Sequence, residues 1–293
     1  RPALCLAICQ AYGGRIEEAL DTAAALEMFH NAFLIHDDIE DDSESRRGHA
    51  TLHTKYGIAI ATNVGDGLNM LAMRTLLRNT RTLGLERALT LIFEVERMAR
   101  ESTEGQSIEL DWVRFNRADI TVLDYLRMSR KKTCWYTCIT PLRTGALIAG
   151  IRPADLIPFT GFGFKTGAAF QIQDDVLNLT AEEGLYGKEI GGDIAEGKRT
   201  LIVIHLIRHA SDADRRRILD IYGLRRNEKS ENDIAYVLDR MHFYGSIKFA
   251  SQIANRLALS AKEIFEHKFG SIASSPYRRF LEEMIYYMIE RQL

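Results

Sequence analysis

Residues 22–36 read TAAALEMFHNAFLIH, apolar nearly all round a helix, and run straight into the acids of His36-Asp37-Asp38-Ile39-Glu40-Asp41. A helix that is apolar on every side belongs in the middle of a fold, wrapped by others. A second apolar run ends the same way 137 residues later, at Gln173-Asp174-Asp175-Val176-Leu177-Asn178. In each cluster two adjacent acids are followed three residues on by another oxygen-bearing side chain, Asp41 in the first and Asn178 in the second. On a helix, positions i and i+4 share a face and i+1 lies about 100° away. Each cluster therefore aims two or three oxygens at one place. Oxygen ligands without companion Cys or paired His suit Mg²⁺, a cation that also keeps waters and substrate phosphates. Two such half-sites facing each other would clamp a diphosphate.

The remainder of the chain is written for helices. Only five prolines occur and strand-like alternation is scarce. Helical periodicity runs over residues 15–38, 56–81, 85–109, 119–150, 154–179, 194–209, 231–267 and 276–291. Pro141 falls inside one of these segments and predicts a kink. Residues 181–198, with Gly184, Gly187, Gly191, Gly192 and Gly197, read as a loop. The charged stretch from Arg225 to Asp233 reads as an exposed connection. With no linker, short-period repeat or low-complexity tract, residues 1–293 are expected to form a single all-α domain. The abrupt opening at Arg1-Pro2-Ala3-Leu4 leads us to expect further residues upstream.

Composition narrows the partners. A net charge of −2 with 46% apolar residues describes an ordinary globular protein and points away from nucleic acid or an anionic membrane. No apolar stretch approaches the roughly 18 residues of a membrane span. Cys5/Cys9 and Cys134/Cys138 are i,i+4 pairs in apolar helical patterns, without companions at zinc-like spacing. They read as buried reduced thiols, which implies a reducing compartment, the cytoplasm.

Residues 37–44 hold six carboxylates in eight positions and lead into Ser45-Arg46-Arg47-Gly48. A solvated acidic loop is the ordinary meaning of such a run. Against it stand the buried helix it continues, the twin cluster, and an arginine pair suited to phosphate oxygens. Crowded acids also repel one another, a strain that divalent cations relieve. Asn178 offers a neutral carbonyl oxygen, so the second cation site should lean more on substrate oxygens. Downstream, Gly187-Lys188 and Gly197-Lys198 put lysines in a loop from which they could reach a phosphate, although a lone lysine is more often a surface residue. His30, seven residues before Asp37, lies two turns up the same face. It is either a core histidine or a phosphate contact.

Together with Gly105-Gln106 and Lys132-Thr133, these residues resemble the trans-isoprenyl diphosphate synthases, the polyprenyl synthetase family. The likeness covers essentially the whole chain: HDDxxD running into RRG, then FQIxDD running into GKxxGxD and GKxT. It implies an all-α barrel of long antiparallel helices, usually a homodimer, around a deep apolar cavity between the two Asp motifs. It implies that Asp37, Asp38, Asp41, Asp174 and Asp175 hold the Mg²⁺ ions, with Asn178 in the third place of the second motif and Gln171 lining the site. Arg46, Lys132, Lys188 and Lys198, with Thr133 close by, would contact the allylic diphosphate. Arg1, His30 and Arg47 would hold isopentenyl diphosphate; the lysine of the family's GGKxxRP segment lies upstream of Arg1. Asn178 departs from the family's acid, and Ala50 from its proline, while Thr51 and His53 match. The first motif also lacks the two-residue insertion of many bacterial short-chain enzymes.

The reaction so implied is ionisation, condensation and elimination. Diphosphate leaves an allylic substrate, the double bond of isopentenyl diphosphate attacks the cation, and a proton is lost. The tail would run down the helix of the first motif, past Phe33, Ala32 and Phe29, which lie four, five and eight residues before Asp37. Both phenylalanines are either core packing or, beside small Ala32, part of a floor. A helical turn rises about 5.4 Å, on the order of one isoprene unit. Geranylgeranyl diphosphate, with twenty carbons, is therefore the expected product, and farnesyl diphosphate, with fifteen, the second. A class I terpene cyclase would normally carry Asn-Asp-x-x-Ser-x-x-x-Glu, but Asn232-Asp233 is followed by Tyr236 and Arg240 at the matching places. A catalytically silent subunit of a heteromeric synthase would be expected to lose acidic or basic motif residues, and this chain keeps almost all of them.

Overall fold

In the computed structural model, which describes residues 1–180, 191–270 and 272–290, the apolar segment is the middle of the second helix. Helix α1 (Pro2–Ala11) opens on a proline at its start, where the missing N–H leaves no bond unmade. It packs on α2 (Ile16–Glu40), which buries Ala19, Ala23, Ala25, Leu26, Phe29 and Ala32. A two-stranded hairpin, β1 (Ser45–Arg46) against β2 (His49–Ala50), leads to α3 (Leu52–Tyr56), α4 (Ile58–Leu77) and α5 (Asn79–Thr82). The buried small residues Ala61, Gly65 and Ala72 let α4 lie close along α2, with Thr75 reaching Met28 near the far end. Next come α6 (Leu85–Arg114), α7 (Val122–Ser129), a π-helical segment (Arg130–Ile139), α8 (Thr140–Ile148) and α9 (Ile157–Thr180). The chain closes with α10 (Gly192–Glu196), α11 (Leu201–His209), α12 (Asp212–Tyr222), α13 (Glu231–Phe243), α14 (Ser246–Phe269) and α15 (Pro276–Glu290). The π-helical segment is sandwiched by α6 and α9, and α9 is backed by α14. The all-α expectation holds, and the fold is a single domain. Among the described residues, no helix is long and apolar enough to cross a membrane.

Several boundaries differ from the periodic reading, each for a local reason. Residues 119–150 are not one helix kinked at Pro141. A loop precedes α7, whose start is fixed by a capping box between Thr121 and Asp124. The irregularity lies N-terminal to the proline, in the widened turns of Arg130–Ile139, and Pro141 sits in the first turn of α8. Widened turns accommodate the missing donor and the ring's clash with the carbonyl four residues back. The segment 231–267 is two helices, because Gly245 takes a φ of +67° and turns the chain between α13 and α14. Helix α12 lies where periodicity predicts none. It buries only Ile218, Ile221 and Tyr222, too few for a clear stripe, and starts from the Ser211 cap. The stretch 225–233 is more than an exposed connection, since Ser230 and Asp233 cap α13 while Arg226 and Lys229 turn toward the end of α10.

The four cysteines are buried free thiols, as expected. Burial pushes Cys5 up to about 12 and Cys9 and Cys138 up to about 11, which keeps them protonated and unreactive.

Candidate active site

Both acid clusters sit at the C-terminal ends of their helices, where backbone carbonyls already make the potential negative. That is the wrong end of a helix for acids. The last turn of α2 has no basic residue to offset Asp37, Asp38 and Glu40. The cations that compensate come from elsewhere in the chain, and together they define a cavity of about 500 Å³. Asp37 enters it from α2, and Gln171, Asp174 and Asp175 from α9. Lys132, Thr133 and Tyr136 enter from the π-helical segment, Arg46 and Arg47 from the hairpin, Lys198 from beyond α10, and Arg1 and His30 from the N-terminal helices. Lys188 lies outside the described residues.

The hairpin aims its arginines by turn geometry. Arg47 and Gly48 both have positive φ, +53° and +76°, the pattern of a two-residue type I′ loop. Arg47 holds a left-handed conformation that costs a non-glycine residue about 1 kcal/mol, and its side chain lines the cavity. Arg46 reaches Asp38 Oδ1 through Nε at 2.7 Å and Nη2 at 2.5 Å, and Asp37 Oδ2 at 3.5 Å. Lys132 bridges Asp37 Oδ1, at 3.1 Å, and Glu109. Lys198 pairs with Asp41 at 2.7 Å and Glu196 at 2.6 Å. Glu196 also accepts from Ser43 Oγ at 3.0 Å and Arg226 at 3.1 Å, which ties the loop after the first cluster to the loop after the second.

Charge balance decides protonation. Burial alone would raise the Asp37 carboxyl, but Lys132, Lys198 and Arg46 outweigh it and hold it well below the usual carboxylate range. Asp41 lies deeper, and burial, with the charges of Asp37 and Glu196, pushes it up to about 7 despite Lys198. Asp38 and Asp41 lie behind the cavity surface that Asp37 reaches.

In the second cluster Asp175 is only 6% exposed and accepts from Gln171 Nε2 and the Tyr125 hydroxyl, both at 2.8 Å. Burial first, then Asp193 and Asp174, raise its carboxyl well above the ordinary range. Asn178 does not reach the large cavity. Its Oδ1 accepts from the Asp193 N–H at 3.2 Å and its carbonyl from Gly191 N–H at 2.9 Å, so it anchors the start of α10. Arg199, 1% exposed, fixes the other end of that loop. Its guanidinium donates to the Arg117 and Gly197 carbonyls and to Asn116, and lies over the Tyr222 ring.

The buried His30 ring stacks on Tyr136 and accepts at Nε2 from Arg1 at 2.7 Å, which leaves the proton on a buried Nδ1 with no protein partner. Burial and the charges of Arg1 and Arg47 push its pKa down to about 3, so the imidazole is neutral. Of the residues expected along the tail, only Phe33 lines space. It borders a smaller cavity of about 310 Å³ that shares Leu34, Asp37, Lys132 and Tyr136 with the larger one. Phe29 packs in the core with its ring 6.3 Å from that of Phe33, and Ala32 is fully buried; neither borders the cavity.

A divalent cation fits this donor set. The buried Asp37 Oδ1 and Asp41 Oδ2 each face a lysine, at 3.1 and 2.7 Å, and a carboxylate oxygen paired with one cation keeps a lone pair that a second could take. Among the described residues no three side-chain ligands form a ready-made cage. Mg²⁺ binds elsewhere through one or two carboxylates and completes its shell with substrate phosphates and water. The cyclase-like positions are elsewhere: Asp233 caps α13, Tyr236 donates to Asp214 at 2.6 Å, and Arg240 pairs with Asp239. Sequence reading missed Glu109, Tyr125, Tyr136, Glu196 and Arg226. Helical spacing signals two of them, because Glu109 lies one turn beyond Gly105 and Tyr136 one turn beyond Lys132.

The chain matches the family model for polyprenyl synthetase over residues 1–241. It is 32% identical over 292 residues to a short chain isoprenyl diphosphate synthase of Methanothermobacter thermautotrophicus, covering 100% of this chain and 86% of that protein. Its fold superposes on the geranylgeranyl pyrophosphate synthetase of Pyrococcus horikoshii with a TM-score of 0.85 and 31% identity, over 99% of this chain and 85% of that one. The geranylgeranyl pyrophosphate synthase of Corynebacterium glutamicum, solved with isoprenyl diphosphate and magnesium, gives a TM-score of 0.87 at 26% identity, over 99% and 86% of the two chains. With its motifs gathered around one cavity and these likenesses along its length, the chain belongs to the polyprenyl synthetase family of prenyltransferases.

Proposed function

We propose that this prenyltransferase condenses isopentenyl diphosphate with an allylic diphosphate in a Mg²⁺-dependent reaction, giving geranylgeranyl diphosphate as main product, with farnesyl diphosphate the second choice. The observation that supports this most is the meeting of two acid-bearing helix ends with Arg46, Arg47, Lys132 and Lys198 at one cavity. Asp37, Asp38 and Asp41 from one side and Asp174 and Asp175 from the other would hold the cations. Asn178 acts through the backbone of Asp193, which it positions. Bound Mg²⁺ would supply neutralisation of the charge that grows on the departing diphosphate.

The protein's own groups divide the remaining work. Arg46, Lys132 and Lys198 now sit on carboxylates, and substrate would exchange those partners for diphosphate oxygens, so each stabilises charge without a large movement. Arg1, His30 and Arg47 line the side suited to the second diphosphate, with neutral His30 able to donate from Nδ1. Leu34, Met128, Tyr136 and Phe170 add apolar wall to the charged mouth and would keep water from the carbocation. No side chain need act as nucleophile, and the released diphosphate can take the proton.

The test uses protein with Mg²⁺, labelled isopentenyl diphosphate and, separately, five-, ten- and fifteen-carbon allylic primers, with product length read by mass spectrometry after dephosphorylation. Elongation to a dominant product is expected, and Phe33→Ala should lengthen it. No elongation from any primer would end this reading. We also infer a homodimer. Ile60, Val64 and Leu71 on α4 and Leu85, Leu89 and Phe93 on α6 are exposed at helical spacing, and large apolar stripes of this kind mark protein contacts. Light scattering should give twice the 33.3 kDa chain mass; a monomer at micromolar concentration would refute it. Four buried free thiols fit a reducing compartment such as the cytoplasm.

A further inference from the structure

We propose that Arg226 is a positioning residue for Lys198. By occupying one oxygen of Glu196 it lets Lys198 leave that carboxylate for the allylic diphosphate, an inference that rests on the elongation chemistry above. Lys198 lines the large cavity, whereas Glu196 and Arg226 do not. They lie behind it, in a gap between the two loops that Ser43, Asn178 and Asp193 also border. Glu196 is the hub of this gap. Its Oε1 accepts from Ser43 Oγ at 3.0 Å and from Arg226 Nη1 at 3.1 Å, and its Oε2 faces Lys198 Nζ at 2.6 Å. The three charged side chains are 11–19% exposed, so solvent ions screen their attraction weakly. The backbone on either side of Glu196 is held by other groups. Lys229 Nζ donates to the Ala195 carbonyl at 2.7 Å, and the Arg199 guanidinium donates to the Gly197 carbonyl. Arg226 therefore acts on the carboxylate rather than on the course of the chain.

Lys198 has two acids to leave before it can serve a diphosphate, Asp41 at 2.7 Å and Glu196. Asp41 is a proposed cation ligand, and once it serves a cation, Glu196 is the acid that still holds the lysine. A carboxylate whose charge is shared with a guanidinium attracts a second cation less, and the two cations repel each other. Arg226 thus lowers the cost of moving Lys198 Nζ toward the cavity. Without it the Glu196–Lys198 pair tightens, and part of the binding energy of the diphosphate goes into breaking that pair. The effect falls on the diphosphate that Lys198 meets and leaves isopentenyl diphosphate alone.

Arg226→Met keeps most of the side chain's length and removes its charge. It should raise KM for the allylic primer about tenfold, the lower end of what a charge-assisted hydrogen bond is worth, with KM for isopentenyl diphosphate within about twofold. Arg226→Lys restores the charge without the planar fork and should bring the primer KM back to within about threefold of wild type. The decisive arm is a double-mutant cycle, read by calorimetric titration of the folded protein with inorganic diphosphate and Mg²⁺. Arg226→Met should weaken binding about tenfold in the wild-type background and less than about twofold in a Lys198→Met background. An equal loss in both backgrounds would mean that Arg226 attracts the diphosphate directly. An unchanged or tighter affinity with a lower Tm would mean that it only braces the loops. Either result overturns the proposal. If Arg226→Met does not fold, Arg226→Gln, which keeps a donor without the charge, is read in the same way. Wild-type protein that binds no diphosphate removes the proposed function itself, a result distinct from any difference between variants.

Discussion

Asp37→Ala should lower kcat/KM by about a thousandfold while leaving the fold nearly as stable as before. Asp37 is the first-cluster acid that reaches the large cavity, and its Oδ1 faces the Lys132 ammonium at 3.1 Å. A preorganised charge aimed at the reacting group is worth about 3–4 kcal/mol, or two to three decades in rate. In the proposed role of Asp37 the loss belongs at the upper end, because it would remove both an anchor for the cation and the partner that places Lys132. Stability moves less, since no cation is orphaned: Lys132 keeps Glu109 and Arg46 keeps Asp38. A Tm within about 4 °C of wild type is expected, equivalent to about 1 kcal/mol. Asp37→Asn separates charge from shape and should lose as much activity. Asp42→Asn is the control, since that side chain is 84% exposed and makes only a loose 3.8 Å contact with His53; it should stay within about twofold. Steady-state kinetics over a range of Mg²⁺ concentrations decide the matter. If Asp37→Asn keeps activity within tenfold, the cation is not held at this end of α2.

The acid clusters were legible in the sequence because they break a local rule. Acids at helix C-termini oppose the backbone dipole, and such conflicts tend to mark function. The cations Arg46, Lys132 and Lys198 were named through the resemblance as contacts for the allylic diphosphate, and in the structure each pairs with an acid of the first cluster. What stayed hidden depends on tertiary approach. Nothing in QDDVLN says that Asn178 will turn to the Asp193 amide, because that contact needs α10 folded back on α9. Glu196 and Arg226 read as surface charges until the loop at 225–230 closes on the loop at 197–200. Phe29 and Phe33 share one helical face by spacing, yet only packing against Tyr136 and the core decides that Phe33 borders space and Phe29 does not. The widened turns at 130–139 were equally unreadable, since periodicity near 3.6 continues through them while the backbone pattern changes.

Those turns approach α6 so closely that Gly105→Ala should both destabilise the protein and disable the site. An added Cβ at Gly105 would lie 2.1 Å from the Lys132 backbone nitrogen, 2.6 Å from its Cα and 2.8 Å from the Lys131 carbonyl carbon. These are backbone atoms between two packed helical segments, so no side chain can swing away. Two effects compete. Alanine in a helix interior is favoured over glycine by about 1 kcal/mol, whereas overpacking a tight contact costs about 1–3 kcal/mol or more. An overlap this deep places the cost at or above the upper end, for a net loss of about 2 kcal/mol and a fall in Tm of roughly 4–8 °C. Activity should fall further than stability implies. Lys132 Nζ sits 3.1 Å from Asp37, and a shift of about 1 Å in such a group can cost a hundredfold in rate. Gly161→Ala in α9 is the matched control, because its Cβ would meet only the Ile264 Cδ1 atom at 3.7 Å, an ordinary contact. That variant should match or exceed wild-type stability with activity intact. Thermal melts and kcat/KM of the two variants side by side separate a general intolerance of alanine from a specific close approach. Equal stability for Gly105→Ala and Gly161→Ala would show that α6 and the Lys132 segment do not meet as closely as these distances require.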